Sequence, residues 1–211
     1  MGASSGDAIA RVLPDAIAVD YGGVSGPDWY AGVGARVAAQ ADAALWIAVL
    51  HSGAGGFAPA IAAASDRLAG FIFVDAVLPY PGRTWLKTAP GLAGRLRGLA
   101  SDGLLAPWNQ WFDADPAARL LPDPTVRQAV VRDLPRVPFA FTEAVCPDQR
   151  EWERLPAAYL QLSEAYAPEA IEAERRGWPV RRAPLHHLAM VSDPDKVAAL
   201  LIDLPMSPPF A

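Results

Sequence analysis

The sequence predicts an α/β fold, a three-layer sandwich with a mostly parallel sheet and a helical cap inserted into it. The first observation is that short apolar runs alternate with helical patterns at the spacing of a parallel sheet. The second is that this alternation stops in a proline-rich segment and resumes later in the chain. We therefore assign residues 1–78 and 150–211 to the sheet domain and residues 79–149 to the cap.

Each element follows from a local pattern of apolar and turn-forming residues. The continuous run ALWIAVL at 44–50 is typical of a parallel strand covered on both faces. Right-handed crossovers bring the C-terminal ends of such strands to one edge, where open sheets bind ligands. The predicted strands are 16–21, 44–50, 70–76, 157–163 and 178–183. The predicted helices are 5–13, 29–40, 53–64, 168–176 and 194–202.

Composition and charge exclude several classes of function. The 211 residues carry a formal net charge of −5, without the basic stripe that would indicate nucleic-acid binding. A single cysteine excludes an internal disulfide, and the three histidines lack the spacing of a zinc site. No apolar run reaches the length of a membrane span. We expect a soluble cytoplasmic protein that acts on a small molecule without a metal or an organic cofactor.

The segment 79–149 contains many aromatic residues and short amphipathic pieces. It is either a helical subdomain that covers exposed core or a lid that walls an apolar pocket, and we favour the lid. The aromatic residues that we expect to contact substrate are Trp108, Trp111 and Phe112.

Ser52 follows the run at 44–50 and stands among glycines. A nucleophile elbow needs a strand, a sharp turn and a helix, with small residues two positions before and after the serine. Ala54 meets this requirement, whereas Leu50 departs from the usual glycine. The N–H of Gly53 would point at a developing oxyanion. The alternative is a glycine-rich turn that binds an anion or has no chemical role.

A serine is a poor nucleophile without a base, and in this motif class the order along the chain is serine, acid, histidine. His186 and His187 lie after the last predicted strand and before the final helix. The loop at that position returns over the sheet edge, so we expect one of these two histidines to be the base. His51, beside the serine, is interpreted as structural.

Three segments resemble a known family. They are HSGAGG at 51–56, FVDAVLP at 73–79 and HLAMVSDP at 187–194. They resemble the α/β-hydrolases, particularly the plant methylesterase and hydroxynitrile-lyase branch and its bacterial relatives. The likeness spans nearly the whole chain. In the last segment the leading histidine of the family's His-x-x-Met-x-Ser-x-Pro pattern is catalytic, so the resemblance implies His187 as the base.

The resemblance also bears on the acid, which would fix the histidine tautomer. The family usually places this residue in the loop after the strand assigned to 157–163. Glu164 lies there, although the usual position is a residue or two later, at Ala165 or Tyr166. Asp75 is the alternative, known in some relatives, and would otherwise cap a turn at the end of its strand. The resemblance therefore implies Ser52, His187 and Glu164 as the catalytic residues, with Asp75 as the alternative acid.

The family normally begins with an apolar strand and a loop that supplies a second oxyanion N–H. Here only Gly2 to Ser5 could be a remnant of that loop. We expect a serine hydrolase, an esterase or thioesterase, that acts on a small-to-medium apolar acyl substrate. The alternatives are a lyase or cyclase on the same fold, and a binding protein with a decayed triad. An open sheet edge suggests that the chain forms a homo-oligomer.

Overall fold

The computed structural model describes residues 5–20, 23–24, 28–41 and 44–208. The strands are β1 (Trp46–Ser52), β2 (Leu68–Ala76), β3 (Ala157–Gln161) and β4 (Val180–Arg182). The helices are α1 (Ser5–Ala10), α2 (Trp29–Gln40), α3 (Ala58–Ala64), α4 (Trp85–Thr88), α5 (Pro90–Leu99), α6 (Pro116–Leu120), α7 (Pro124–Asp133), α8 (Ala140–Glu143), α9 (Ala167–Arg175), α10 (Ala189–Ser192) and α11 (Pro194–Ile202). Short 3₁₀ turns cover Gly53–Phe57, Trp108–Gln110, Glu151–Arg154 and Glu164–Tyr166.

The four strands form one parallel sheet in the order β1-β2-β3-β4. The side chains of β2 and β3 are almost all buried, as expected for internal strands covered on both faces. Phe73 of β2 lies opposite Tyr159 of β3, and both are completely buried. The predicted class, α/β with a parallel sheet flanked by helices, is confirmed.

Strand β1 is an edge of the sheet in the described part of the chain. One face of the strand is buried at Ala48 and Leu50, whereas Ile47 and Val49 on the other face are 47% and 40% exposed. The apolar run was expected to be covered on both faces, and the structure covers one. The periodicity of an all-apolar run cannot show which face lacks a neighbour.

The strand predicted over 16–21 is wrong for the residues that the structure describes. Residues 16–20 form no ladder, and residue 21 lies outside the described ranges. The main-chain N–H of Asp20 donates to the Gln40 side chain, 3.2 Å away. Its carbonyl oxygen accepts from the side chains of Gln40 and Arg36, at 2.8 and 3.1 Å. Side chains of α2 therefore make the hydrogen bonds to the main chain of Asp20 that a neighbouring strand was expected to make.

The chain divides into two compact units. The sheet unit comprises the described residues of 19–82, 146–187 and 199–211, and the helical unit those of 1–18, 83–145 and 188–198. The helical unit contains one apolar cluster around Leu86, Leu96 and Leu105, and another around Leu121, Val130 and Leu188. It includes most of the predicted cap together with α1 and α10. The action of 79–149 as a lid stays a prediction.

The segment from Gly2 to Ser5, interpreted as the remnant of an oxyanion loop, lies outside the described residues except for Ser5, which begins α1. No helix in the described ranges is long and apolar enough to cross a membrane.

Candidate active site

Ser52 ends β1 in a strained backbone conformation. Its φ of 58° and ψ of −130° lie in a region that residues other than glycine rarely adopt. Its carbonyl oxygen accepts a hydrogen bond from the N–H of Val77, 3.1 Å away, which ties the turn to the end of β2. A Cβ added at Gly55 would overlap the carbonyl oxygen of Val77, so this turn requires glycine there. The strand, sharp turn and helix expected of a nucleophile elbow are all present.

The hydroxyl of Ser52 faces His187. Ser52 Oγ lies 3.0 Å from His187 Nε2, and the side chain makes no capping bond to the following turn. His187 is positioned by the loop after β4, in which Leu185 N–H donates to the carbonyl of Leu162 at 3.1 Å. Both residues belong to the sheet unit. The base and nucleophile predicted from the sequence are therefore within hydrogen-bonding distance of each other.

Asp75 is placed by a β-bulge. In the ladder between β1 and β2, His51 pairs with Val74 and Ser52 pairs with Ala76, so Asp75 is an extra residue on β2. Its φ is 44°, in the left-handed region. Bulges bend a strand and redirect a side chain, and they are common beside active sites. Here the carboxylate reaches His187 Nδ1 at 2.9 Å.

The carboxylate of Asp75 is fully buried and accepts four hydrogen bonds. Oδ1 accepts from the main-chain N–H groups of Leu162 and Ser163, both at 2.9 Å. Oδ2 accepts from the Ser163 hydroxyl at 2.6 Å and from His187 Nδ1–H. Burial raises the pKa of this carboxyl, but the hydrogen bonds from His187, Ser163 and Leu162 outweigh burial and lower the pKa overall. Asp75 is therefore ionised, and it fixes the proton of His187 on Nδ1.

Glu164 is exposed at the start of the 3₁₀ turn that follows β3. The hydrogen bond to His187 Nδ1 comes from Asp75 and not from Glu164. The geometry thus favours the alternative acid over the preferred one. The physical reason is the bulge, which turns Asp75 toward the loop after β3, where the family usually places its acid. Along the chain, Ser52, Asp75 and His187 keep the order serine, acid, histidine.

His51 supports His187 in two ways. Its Nε2 lies 2.9 Å from the carbonyl oxygen of His187, and the two ring centroids are 4.6 Å apart. Burial, together with the positive charge that His187 can carry, lowers the pKa of His51 to about 3. A neutral imidazole that meets a carbonyl must present N–H, so Nε2 is the donor. His51 was interpreted as structural, and these contacts give it a definite partner.

Tyr166 has no role predicted from the sequence, yet it contacts both Ser52 and His187. Its hydroxyl is 3.3 Å from Ser52 Oγ, and its ring stacks on His187 with a centroid distance of 5.0 Å and an interplanar angle of 10°. Burial raises the pKa of this phenol to about 12. The hydroxyl is therefore neutral at physiological pH.

No protein-family model matches the sequence, and no curated protein matches it. The structure is similar to an extracellular α/β-hydrolase from a Paenibacillus species, described as sharing structural and functional homology with tobacco salicylic acid binding protein 2. The TM-score is 0.72 at 17% identity, over 95% of this chain and 93% of that one.

Two further structures extend the comparison. Tomato methylketone synthase I has a TM-score of 0.65 at 14% identity, over 95% of this chain and 92% of that one. Polyneuridine aldehyde esterase has a TM-score of 0.59 at 15% identity, over 89% and 86%. This chain has the α/β-hydrolase fold. The resemblance found in the sequence is thereby confirmed at the level of the fold.

On this α/β-hydrolase fold the predicted substrate-binding aromatics lie in the helical unit. Trp111 packs against the cluster around Leu96, and its Nε1–H donates to the carbonyl of Ala106 at 2.7 Å. Trp108 packs against the second cluster and meets Phe112 edge to face, with centroids 5.8 Å apart. Phe112 is 37% exposed. Two of the three thus contribute to apolar packing, and their contact with substrate stays a prediction.

Within the described ranges of this α/β-hydrolase fold, no three His, Cys, Asp or Glu residues are grouped so that they could hold a metal ion.

The sequence alone did not lead us to predict a role for Ser163 or Tyr166. Both follow β3 at the strand edge where ligands bind in open sheets, so their position was a usable signal. The bulge at Asp75 has no comparable signal, because it depends on pairing between two strands.

Proposed function

We propose that this protein is a serine hydrolase, an esterase or thioesterase, that acts on a small-to-medium apolar acyl substrate through Ser52, His187 and Asp75. The observation that carries the proposal is a continuous chain of hydrogen bonds. Ser52 Oγ–H donates to His187 Nε2 at 3.0 Å, and His187 Nδ1–H donates to Asp75 Oδ2 at 2.9 Å. His187 can therefore accept the serine proton at Nε2, while the Asp75 carboxylate holds the proton on Nδ1, as acyl transfer requires.

The reaction begins when Ser52 Oγ attacks the acyl carbon. As the new Oγ–C bond forms, the serine proton passes to His187 Nε2, and the carbonyl electron pair moves onto oxygen. The N–H of Gly53, the first residue after the nucleophile, donates to that oxyanion. His187 then protonates the leaving oxygen or sulfur, and the acyl group stays on Ser52.

Water completes the cycle. His187 accepts a proton from a water molecule that attacks the acyl-enzyme, then returns a proton to Ser52 Oγ as the acid departs. Asp75 stabilises the imidazolium in both halves while remaining ionised, in keeping with its lowered pKa. The preference for an apolar acyl group rests on the expectation that Trp108, Trp111 and Phe112 contact the substrate.

The test is intact-mass spectrometry after treatment with a fluorophosphonate, which reacts with activated serines. We expect one adduct on the wild-type protein and none on Ser52→Ala or His187→Ala. The matched controls are Ser101→Ala, which removes an exposed serine, and His186→Ala, which removes the neighbouring histidine. Both controls should be labelled like wild type.

Untreated wild-type protein is then screened with p-nitrophenyl esters and acyl thioesters of increasing chain length. Hydrolysis that is lost in Ser52→Ala identifies the acyl class. A folded wild-type protein that takes no adduct contradicts the hydrolase proposal. That result would leave a lyase, a cyclase or a binding protein, the alternatives considered from the sequence.

A further inference from the structure

The hydrogen bond between Tyr166 and Ser52 has only one consistent direction. His187 Nδ1 carries its proton toward Asp75, so Nε2 is the acceptor and receives the Ser52 proton. Ser52 Oγ therefore offers only lone pairs to a third group. The Tyr166 hydroxyl, 3.3 Å away, must be the donor. The resting site thus holds a neutral O–H directed at the atom where the reaction begins.

Tyr166 is held where it is by two further contacts. Its ring stacks on the imidazole of His187 at a centroid distance of 5.0 Å, and its main-chain N–H donates to the carbonyl of Ser163 at 3.3 Å. Ser163 is the residue whose N–H and hydroxyl bind Asp75. The position of the phenol is thus coupled to the same groups that align the acid and the base.

Ser52 Oγ, the acceptor of the Tyr166 O–H, becomes a weaker acceptor during acyl transfer. Ser52 Oγ becomes an ester-like oxygen, which is a much weaker hydrogen-bond acceptor than a hydroxyl or an alkoxide. At the same moment a full negative charge develops on an oxygen bonded to the same carbon as Oγ. A donor directed at Oγ needs only a small reorientation to reach that oxygen, and a preformed donor at a developing charge is an effective catalytic device.

We propose that Tyr166 is a further catalytic residue, whose hydroxyl donates a hydrogen bond to the oxyanion alongside the N–H of Gly53. This inference rests on the proposed hydrolase function. The bonds balance without Tyr166 losing its proton: Oγ–H breaks, its proton goes to His187 Nε2, Oγ–C forms, and the carbonyl electron pair moves to oxygen. The Tyr166 O–H stays intact and changes only its acceptor. Because the pKa of the phenol is raised to about 12, the donor remains protonated throughout the range in which esterases are assayed.

The test compares Tyr166→Phe with wild type. Phenylalanine keeps the ring that stacks on His187 and removes only the O–H. We expect kcat to fall about 10²-fold with little change in KM, because one oxyanion donor acts on the transition state and not on the bound ester. Tyr30→Phe is the matched control, since it removes the buried hydroxyl that bonds Tyr80 at 2.8 Å and should keep wild-type kcat.

Two esters of one acid separate oxyanion binding from other roles. An oxyanion donor gives a similar loss for a p-nitrophenyl ester and for the ethyl ester, because in both the negative charge develops on the same acyl carbonyl oxygen. A loss confined to the ethyl ester would mean that Tyr166 assists the leaving oxygen, and would overturn the inference. A shifted acid limb in the pH profile of Tyr166→Phe would instead indicate a positioning role through His187, and would also overturn it.

Fluorophosphonate labelling distinguishes the failure of this inference from the failure of the proposed function. Wild type that is labelled while Tyr166→Phe hydrolyses both esters at the wild-type rate overturns the role of Tyr166 alone. Folded wild type that is not labelled overturns the proposed function, and the role of Tyr166 with it.

Discussion

At the scale of single residues, Asp75 and Glu164 are the pair whose substitution identifies the acid. Asp75→Asn should lower kcat/KM about 10³- to 10⁴-fold, because an amide cannot hold His187 in the required tautomer as a carboxylate does. Asparagine tolerates the left-handed backbone at this position, where φ is 44°, so the variant should fold. Glu164→Gln, the matched exposed change, should stay within about twofold of wild type. The measurement is steady-state hydrolysis of an ester that the wild type cleaves.

The opposite ranking of these two variants would return the role to Glu164. Circular dichroism spectra of both variants would show whether a loss of activity is due to unfolding. Equal activity of Asp75→Asn and wild type would mean that the buried carboxylate only stabilises the local structure around the loop after β3 and is not needed for catalysis.

His51 allows a second prediction at the same scale. Its pKa is lowered to about 3 by burial and by the charge that His187 can carry. A proton NMR titration of the imidazole rings should therefore show no charge change at His51 as the pH falls from about 8 to about 5, the range in which an ordinary histidine titrates. The His51→Gln spectrum assigns the signal by its absence. A ring assigned to His51 that titrates near pH 6.5 would contradict the buried, neutral donor to the His187 carbonyl.

At the scale of elements, the turn between β1 and α3 depends on one close backbone approach. Gly55→Ala would press a methyl group against the carbonyl oxygen of Val77, which is backbone and cannot move aside alone. We expect a loss of about 1–3 kcal/mol in the free energy of unfolding, the usual cost of overpacking, measured by urea denaturation. Slower labelling of Ser52 should accompany it.

The matched control lies in α5. Gly94 is exposed, and a Cβ there meets no atom within 4 Å. Gly94→Ala should stabilise the protein by up to about 1 kcal/mol, because alanine is the better helix former. If Gly55→Ala were equally harmless, the turn would have room that the structure does not show.

The same scale shows what the sequence could predict. Four of the five predicted strands are present within two residues of their expected bounds, because their apolar runs lie between clear turn signals. The fifth predicted strand, at 16–21, has a similar apolar run, but residues 16–20 pair with no other strand. An apolar run does not by itself show whether a partner strand is available. Helix 53–64 appears as a 3₁₀ turn followed by α3, since the consecutive glycines weaken regular helix.

The candidate site divides in the same way. Ser52 was predicted from a local pattern, and His187 was chosen over His186 because of the resemblance to the family. The hydrogen bond between Ser52 and His187 is present. The structure places Asp75, and not Glu164, beside His187, because a bulge in the ladder of β1 and β2 redirects the Asp75 side chain. Tyr166 reaches Ser52 across 114 positions of sequence, a contact that depends on the parallel order of β1, β2 and β3. Local patterns locate elements, whereas long-range pairing decides which side chains meet.

At the scale of the whole molecule, acid should weaken the fold. The folded pKa of His51 lies far below its ordinary value, so between about pH 6.5 and about pH 3 the unfolded chain binds a proton that the folded chain does not. This contribution to stability is complete above pH 6.5 and is lost as the pH falls. His186, whose pKa is also lowered by burial, acts in the same direction. Asp75, with its lowered pKa, contributes stability above its ordinary value that is lost in stronger acid.

The urea midpoint should therefore fall when the pH is lowered from about 7.5 to about 5. His51→Gln should show a flatter dependence over this interval, whatever its stability at neutral pH. Parallel curves for wild type and His51→Gln would contradict the assignment of this titration to His51.

Base should weaken the fold for the converse reason. Burial raises the pKa of Cys146, and it also raises the pKa values of Tyr30, Tyr80 and Tyr159. A group with a raised folded pKa contributes stability that is complete below its ordinary value, near 9 for Cys146, and lost as the pH rises beyond it. The thiol is completely buried and donates to the carbonyl of Gly56 at 3.6 Å, so ionisation requires it to leave the core or to remain charged within it.

Cysteine deprotonates at a lower pH than tyrosine, so Cys146 should account for the first part of this alkaline loss. We expect the urea midpoint of wild type to fall between about pH 8 and about pH 10, and that of Cys146→Ala to fall less over the same interval. The phenols then govern both proteins at higher pH. If Cys146→Ala lost stability as steeply as wild type from pH 8 upward, the thiol would not be the group that titrates, and its burial beside the elbow would have no thermodynamic consequence in base.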